Sequence, residues 1–219
     1  MSRILAVLTA VVMVASFSGC QFIPGMGGGA PLPAEVPNTM YMGDLADAKE
    51  GRWMTYATEA SGTKSGTTVK VVGKDGANTW VEWWTESGGT ATGFLFVVGA
   101  DKKISKAWAA HKDDKEWKEI KVTVPPAAQP AGDAPKPTIK ESDEKKEVKA
   151  GSFQSRKLDV TMKISGSDYN SQTWHSKDVW KLHSGSEHGG LVAMESATMK
   201  MGLEAKGEDG KPSIELPKK

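Results

Sequence analysis

The sequence predicts a mainly β fold in which antiparallel strands follow one another as a meander, and three observations predict it. Short runs rich in Val, Thr, Trp and Phe are closed by Asp75-Gly76 and by Gly88-Gly89, pairs that tolerate the positive φ angles of tight hairpin turns. Leu158, Val160, Met162 and Ile164 alternate with Asp159, Thr161, Lys163 and Ser165, the period-two pattern of a half-buried strand. With one cysteine in 219 residues there is no disulfide, so burial alone must hold the fold. The part after Pro37 is long enough for that, because a domain of this size buries about 70% of its unfolded surface.

The chain opens on an address. Arg3 precedes an apolar run from Ile4 to Val14 and a small-residue tail, the layout of a secretory signal. The run is well short of the roughly 20 apolar residues that a membrane span needs. It ends at Phe17-Ser18-Gly19-Cys20, which resembles the bacterial lipobox. That resemblance implies cleavage after residue 19 and acylation of Cys20, the lipid-attachment residue and the route to a membrane partner. Each buried methylene of the acyl chains contributes about 0.8 kcal/mol, so several chains hold a domain on a bilayer. Gln21 instead of Asp after the cysteine points, on the same resemblance, to the periplasmic face of an outer membrane.

Residues 20–37, rich in Gly and Pro, read as a tether with a reach of roughly 20 to 25 Å. Gly25-Met26-Gly27-Gly28-Gly29-Ala30 satisfies a dinucleotide-binding pattern, but it follows a cleavage site, not a strand, and runs into Pro31 and Pro33, not a helix. A single mainly-β domain is expected over 38–219. Asp44 to Glu50 is its one short helix, with Asp44 as N-cap and Gly51 after the end. Strands follow at Arg52–Ala60, Thr67–Val72, Thr79–Thr85, Thr90–Val98, Ile104–His111 and Trp117–Val124. Trp80-Val81-Glu82-Trp83-Trp84 and Phe94-Leu95-Phe96-Val97-Val98 are apolar at both parities, so something apolar covers their second face: a helix, a ligand or a partner.

Residues 125–137 contain five prolines and read as a long loop within one sheet. Lys140–Lys149, dense in mixed charge, suits an exposed edge strand. The alternating strand at 158–164, then Trp174–Val179 and Leu191–Leu203, complete the sheet. The tail from Gly207 is Lys, Glu, Pro and Gly and is expected to fray.

Removal of Arg3 with the signal leaves 27 basic and 27 acidic residues, so no long-range field draws the mature chain to nucleic acid. His175, His183 and His188 beside Glu187 lack the spacing of a zinc site and read as loop histidines. Met199 and Met201 at period two read as core. Gly185-Ser186-Glu187-His188-Gly189 places its serine one position early for a nucleophile elbow. No enzyme, metal or other cofactor is therefore expected, and a metal-dependent enzyme is only a minor alternative.

Ala150-Gly151-Ser152-Phe153, Trp174-His175-Ser176-Lys177-Asp178-Val179 and Gly189-Gly190-Leu191-Val192 resemble a pattern of bacterial envelope proteins grouped with the LolA and LolB carriers. The resemblance covers the last third of the chain. It implies an unclosed β-barrel, a curved antiparallel half-barrel with a short helix or lid over an apolar concavity. On that reading the function is to hold a lipid, acyl chain or other apolar ligand in the envelope, with Trp80, Trp84, Phe94 and Phe96 as the ligand-binding residues. The alternative is a non-enzymatic scaffold or interaction lipoprotein that docks an envelope protein. The lone cysteine carries the first test: Cys20→Ala should leave an uncleaved, unacylated precursor. An intact mass of the wild type showing a bare Cys20 would contradict it.

Overall fold

The computed structural model describes residues 31–126, 137–164 and 167–217. The signal segment, Cys20 and residues 127–136 of the proline-rich stretch lie outside them. Strand β1 (Glu35–Pro37) is followed by the meander β2 (Trp53–Ala60), β3 (Thr63–Asp75), β4 (Asn78–Ser87), β5 (Thr90–Val98), β6 (Ile104–His111) and β7 (Lys118–Thr123). Then come β8 (Thr138–Val148), β9 (Gly151–Ile164), β10 (Ser167–Ser176), β11 (Gly185–Ser186), β12 (Gly189–Ser196) and β13 (Met199–Gly207). All belong to one sheet ordered β1-β7-β6-β5-β4-β3-β2-β13-β12-β10-β9-β8, with β11 paired to β12 off that path. The ladder is antiparallel except for β1 against β7, so the meander expected from the turns is present. Gly76, Gly88 and Gly89 take φ of 58°, 60° and 83°, which is why glycine stands at those hairpin tips.

Two halves, β2 to β7 and β8 to β13, are joined where β2 pairs with β13. The far edges, β1 and β8, do not meet, and the sheet stays unclosed. It curls nonetheless. Three strand spacings of about 4.8 Å separate β8 from β12 in a flat sheet, yet Lys146 Nζ of β8 lies 2.6 Å from Glu195 Oε1 of β12. The Trp174 indole of β10 likewise donates to Glu144 of β8. The charge-dense segment is therefore an edge strand, as expected, with some of its charges turned onto neighbouring strands.

The differences from expectation have local causes. Asp44 does cap, its carboxylate accepting from Ala46 N at 3.0 Å, but the turn it starts is only a 3-10 turn at Leu45–Asp47. Backbone donors that a helix would use go elsewhere: Gly51 N bonds Val71 O. The sheet also begins before Asn38, because Glu35–Pro37 pairs in parallel with Lys121–Thr123 and Val36 is buried. Among the described residues no helical lid forms. Segments 38–50 and 177–184 cover the sheet instead, through Tyr41, Ala48, Val179 and Leu182, all within the larger apolar cluster.

Pairing fixes two faces on β3 to β6. Val81, Phe94, Phe96, Ala107 and Ala109 point into the larger cluster, which also takes Met54, Tyr56, Met201 and Leu203. Trp80, Leu95, Val97, Trp108 and Ala110 point the other way into a smaller cluster with Val72 and Trp117. The register shift between Val71 and Gly73 lets consecutive valines serve both. The cover on the second face is the chain's own C-terminal segment: Ile214, 8% exposed, and Leu216 lie against these tryptophans. The tail thus does not fray there. It is laced down by Arg52 to Glu208, Trp53 Nε1 to Asp209 at 2.8 Å, and Gly210 N to Gly51 O at 2.8 Å.

Its main fastening is Glu82, which is 0% exposed in the middle of an otherwise apolar strand. Its carboxylate accepts from Ser213 N at 2.8 Å, Ser213 Oγ at 2.6 Å and Trp84 Nε1 at 2.7 Å, and faces Lys70 Nζ at 2.9 Å. A buried carboxylate is tolerable when its lone pairs are filled in this way, and removing it strands every donor. Glu82→Ala should therefore lower unfolding free energy by about 3 to 5 kcal/mol in urea titrations, whereas exposed Glu86→Ala should change it by under about 0.5 kcal/mol. Equal, small losses for both would show that Glu82 does not fasten the strap.

Candidate functional site

The four residues expected to line one apolar concavity are not brought together. Phe94 and Phe96, 0% and 1% exposed, stack at 5.7 Å within the larger cluster. Trp80 and Trp84 lie on the opposite face. Trp80 stacks on Trp108 at 5.5 Å, and Trp84 meets Trp117 at 5.7 Å. Strict alternation along β4, and the register Trp83 to Phe94, make this separation unavoidable.

A trough of about 790 Å³ lies on the face that carries Trp84. Its floor is low because β2 and β3 place small residues there: Thr55 and Ala57 pair with Thr68 and Gly66. The Thr55 and Thr68 hydroxyls are 3.0 Å apart, which holds both side chains down. Trp84, Ser213 and Ile214 also line the trough, so the strap that covers the smaller cluster contributes to its boundary. The β4–β5 turn, Ser87 to Gly89, closes another part. Lys64, Lys70, Lys112, Glu86 and Glu204 supply the charge, most of it already paired. Lys70 meets Glu82, Lys112 meets Glu86 at 3.6 Å, and Glu204 meets Lys149 at 2.8 Å.

Trp84 is held in one orientation. Its indole nitrogen is tied to Glu82, and its ring lies against Gly93, where a β-carbon would come within 2.6 Å of ring atoms. Glycine at 93 is thus a packing requirement of Trp84. Of the trough residues only Trp84 was a candidate from sequence. The signal for the rest was Glu82, a lone charge in an apolar strand, which burial rules say must have partners.

His175 and His183 are buried packing residues, not surface loop histidines. His183 is 1% exposed between Tyr56, 4.7 Å away, and Trp83, 5.0 Å away. His175, in β10, faces Thr173 Oγ1 at 3.2 Å. His188 lies 3.8 Å from both Glu141 and Glu187. Among the described residues no three His, Cys, Asp or Glu side chains converge to hold a metal ion. Met199 and Met201 are buried in the larger cluster, and Ser186 Oγ accepts from His188 N at 3.1 Å.

No protein-family model and no curated protein matches this chain. Among solved structures, a Bacteroides fragilis protein with a YmcC-like fold, provisionally named as exported, aligns with 9% identity. The alignment covers 76% of this chain and 98% of that one, with a TM-score of 0.36. A likeness at that level carries no argument about fold or activity.

Burial, aided for His175 by the charge of His188, pushes His175 and His183 down to about 4. Between the ordinary value of 6.5 and about 4 the unfolded chain binds protons that the folded chain refuses. Stability should therefore be full above pH 6.5 and fall as pH is lowered to 4. By pH 4.5 the loss should be roughly 2 to 3 kcal/mol per histidine. Urea titrations across this range check it. His183→Leu should reduce the slope, and an unchanged slope would contradict the assignment.

Proposed function

We propose that this chain is a lipid-anchored, non-enzymatic binding protein of the bacterial envelope, and that it meets its partner through the trough over β2 to β4. The signal-like leader and Cys20 in its lipobox-like setting support the location. The observation that carries the binding reading is the trough itself, an open recess on a face built of small residues, with a fixed tryptophan at its side. Its volume falls in the range of ligand sites, about 300 to 1,000 Å³.

An acyl-chain carrier would need apolar space beside Phe94 and Phe96. Those side chains contact protein all round, together with Val69, Val81 and Ala109, each 0% exposed. The trough is instead open to water, with Lys64, Lys112, Glu86 and Glu204 in its lining, so a hydrocarbon chain laid in it would stay partly wet. The binding-module reading therefore displaces the carrier as the preferred one. The serine–lysine contact in the trough, Lys70 Nζ donating to Ser213 Oγ at 2.6 Å, is tied up by the Glu82 carboxylate, which accepts from Ser213 Oγ at 2.6 Å and faces Lys70 Nζ at 2.9 Å, so it offers no free nucleophile and base.

A small diazirine-bearing aliphatic residue, about the size of leucine and so too small to fill the recess, at exposed Ala57 on the trough floor should give an adduct in cell envelopes. The same residue at Glu147, whose side chain is 80% exposed in the edge strand, should not. No adduct at Ala57, with a fatty acid or phospholipid held by the released domain in native mass spectrometry, would restore the carrier.

A further inference from the structure

We propose that the trough takes a neutral, hydroxyl-rich oligosaccharide segment, with Trp84 as the platform on which a sugar ring stacks; this rests on the binding-module reading above. The chemistry of the lining selects among ligand classes. A hydrocarbon ligand is disfavoured by the openness of the recess, which would leave it partly in water. A strongly anionic ligand is disfavoured because two of the three lining cations, Lys70 and Lys112, already face Glu82 and Glu86, and Glu204 faces Lys149, which leaves Lys64 as the one lining cation outside an ion pair among the described residues. Such a site exerts little net pull on charge, and what pull it has is screened by salt. What remains is a ligand that presents hydroxyls to the Ser, Thr, Lys and Glu side chains of the lining, and a weakly apolar ring face to an aromatic one.

Trp84 meets the last requirement in a way a chance surface tryptophan would not. Its nitrogen is committed to Glu82 and one side of its ring is set against Gly93, so the indole is held before any ligand arrives. A pre-set ring loses little entropy on binding. Its electron-rich face attracts the polarised C–H bonds of a pyranose, an aromatic contact of the usual quadrupole kind. The strap contributes Ser213 beside it, so the carboxylate that fastens the strap also orients the platform and the neighbouring hydroxyl.

The test titrates the purified domain with maltotetraose, cellotetraose, chitotetraose and a short dextran, following tryptophan emission and calorimetric heat. At least one should bind, with an affinity unchanged when ionic strength is raised about tenfold. Trp84→Ala should weaken that binding roughly tenfold. Because Trp84→Ala also frees a Glu82 lone pair and can disturb folding, Ala57→Trp provides a second variant. Ala57 is exposed, so filling the floor there should abolish binding while leaving the unfolding midpoint in place. Binding that survives Ala57→Trp, or no binding by any of the four sugars, overturns the proposal. So does salt-sensitive binding confined to an acidic polymer such as alginate. The two readings fail separately: a protein adduct at Ala57 with no sugar binding removes the glycan but keeps the binding face, and no adduct together with no sugar binding removes both.

Discussion

The Glu82 carboxylate, buried with Lys70, Trp84 and Ser213 around it, is the constraint on which the rest of the second sheet face depends. An ionised group in a dry interior is costly unless each lone pair is met by a donor. Here the donors come from β3, β4 and the C-terminal segment, so satisfying one charge also decides where three pieces of chain must lie. The strap is placed by that demand more than by its own apolar content, which amounts to Ile214 and Leu216. Trp84, turned by the same carboxylate, then sets the side of the trough.

The sheet is two-sided in an unequal way. One face of β3 to β6 joins both halves of the molecule in the larger cluster, with Tyr56 OH donating to Leu191 O at 2.7 Å across the join. The other face is built from four tryptophans and a thin cover, and it fades into polar floor toward β2. Along β4 the same alternation yields a filled interior on one side and, on the other, a platform with open space beside it. Burying Phe94 and Phe96 contributes about 2 to 3 kcal/mol apiece, and that gain depends on leaving no room around them.

Much of this was legible beforehand. Thr90–Val98 and Ile104–His111 stand at the boundaries that alternation and turn residues suggest, and Leu158 and Val160 are buried as their period-two pattern requires. The charge-rich 138–148 stretch is an edge strand for the reason its composition gives. What could not be read was any feature set by distant pairing. Glu35–Pro37 becomes a strand only because Lys121–Thr123 offers an edge. Residues 210–217 look like a fraying tail until Glu82, far away in sequence, claims Ser213. Both-parity apolarity is a sound sign that a second face is covered, but periodicity cannot tell a covering strap from a ligand, so it groups Trp80 and Trp84 with phenylalanines that lie on the opposite face.

The position of that strap has a consequence for how the molecule is made. Ser213 and Ile214 follow every strand of the sheet, and the strand before them, β13, pairs with β2 at the beginning of the meander. A chain emerging N-terminus first can therefore assemble the β2–β7 meander early, yet neither the seam with its second half nor the cover over Trp80 exists until residues 199–216 have been made. Through that interval the growing protein carries an unshielded row of indoles and a carboxylate without its serine. A chain without residues 208–217 would hold that state permanently, giving folding catalysts and proteases a ready mark by which to tell a covered molecule from an uncovered one.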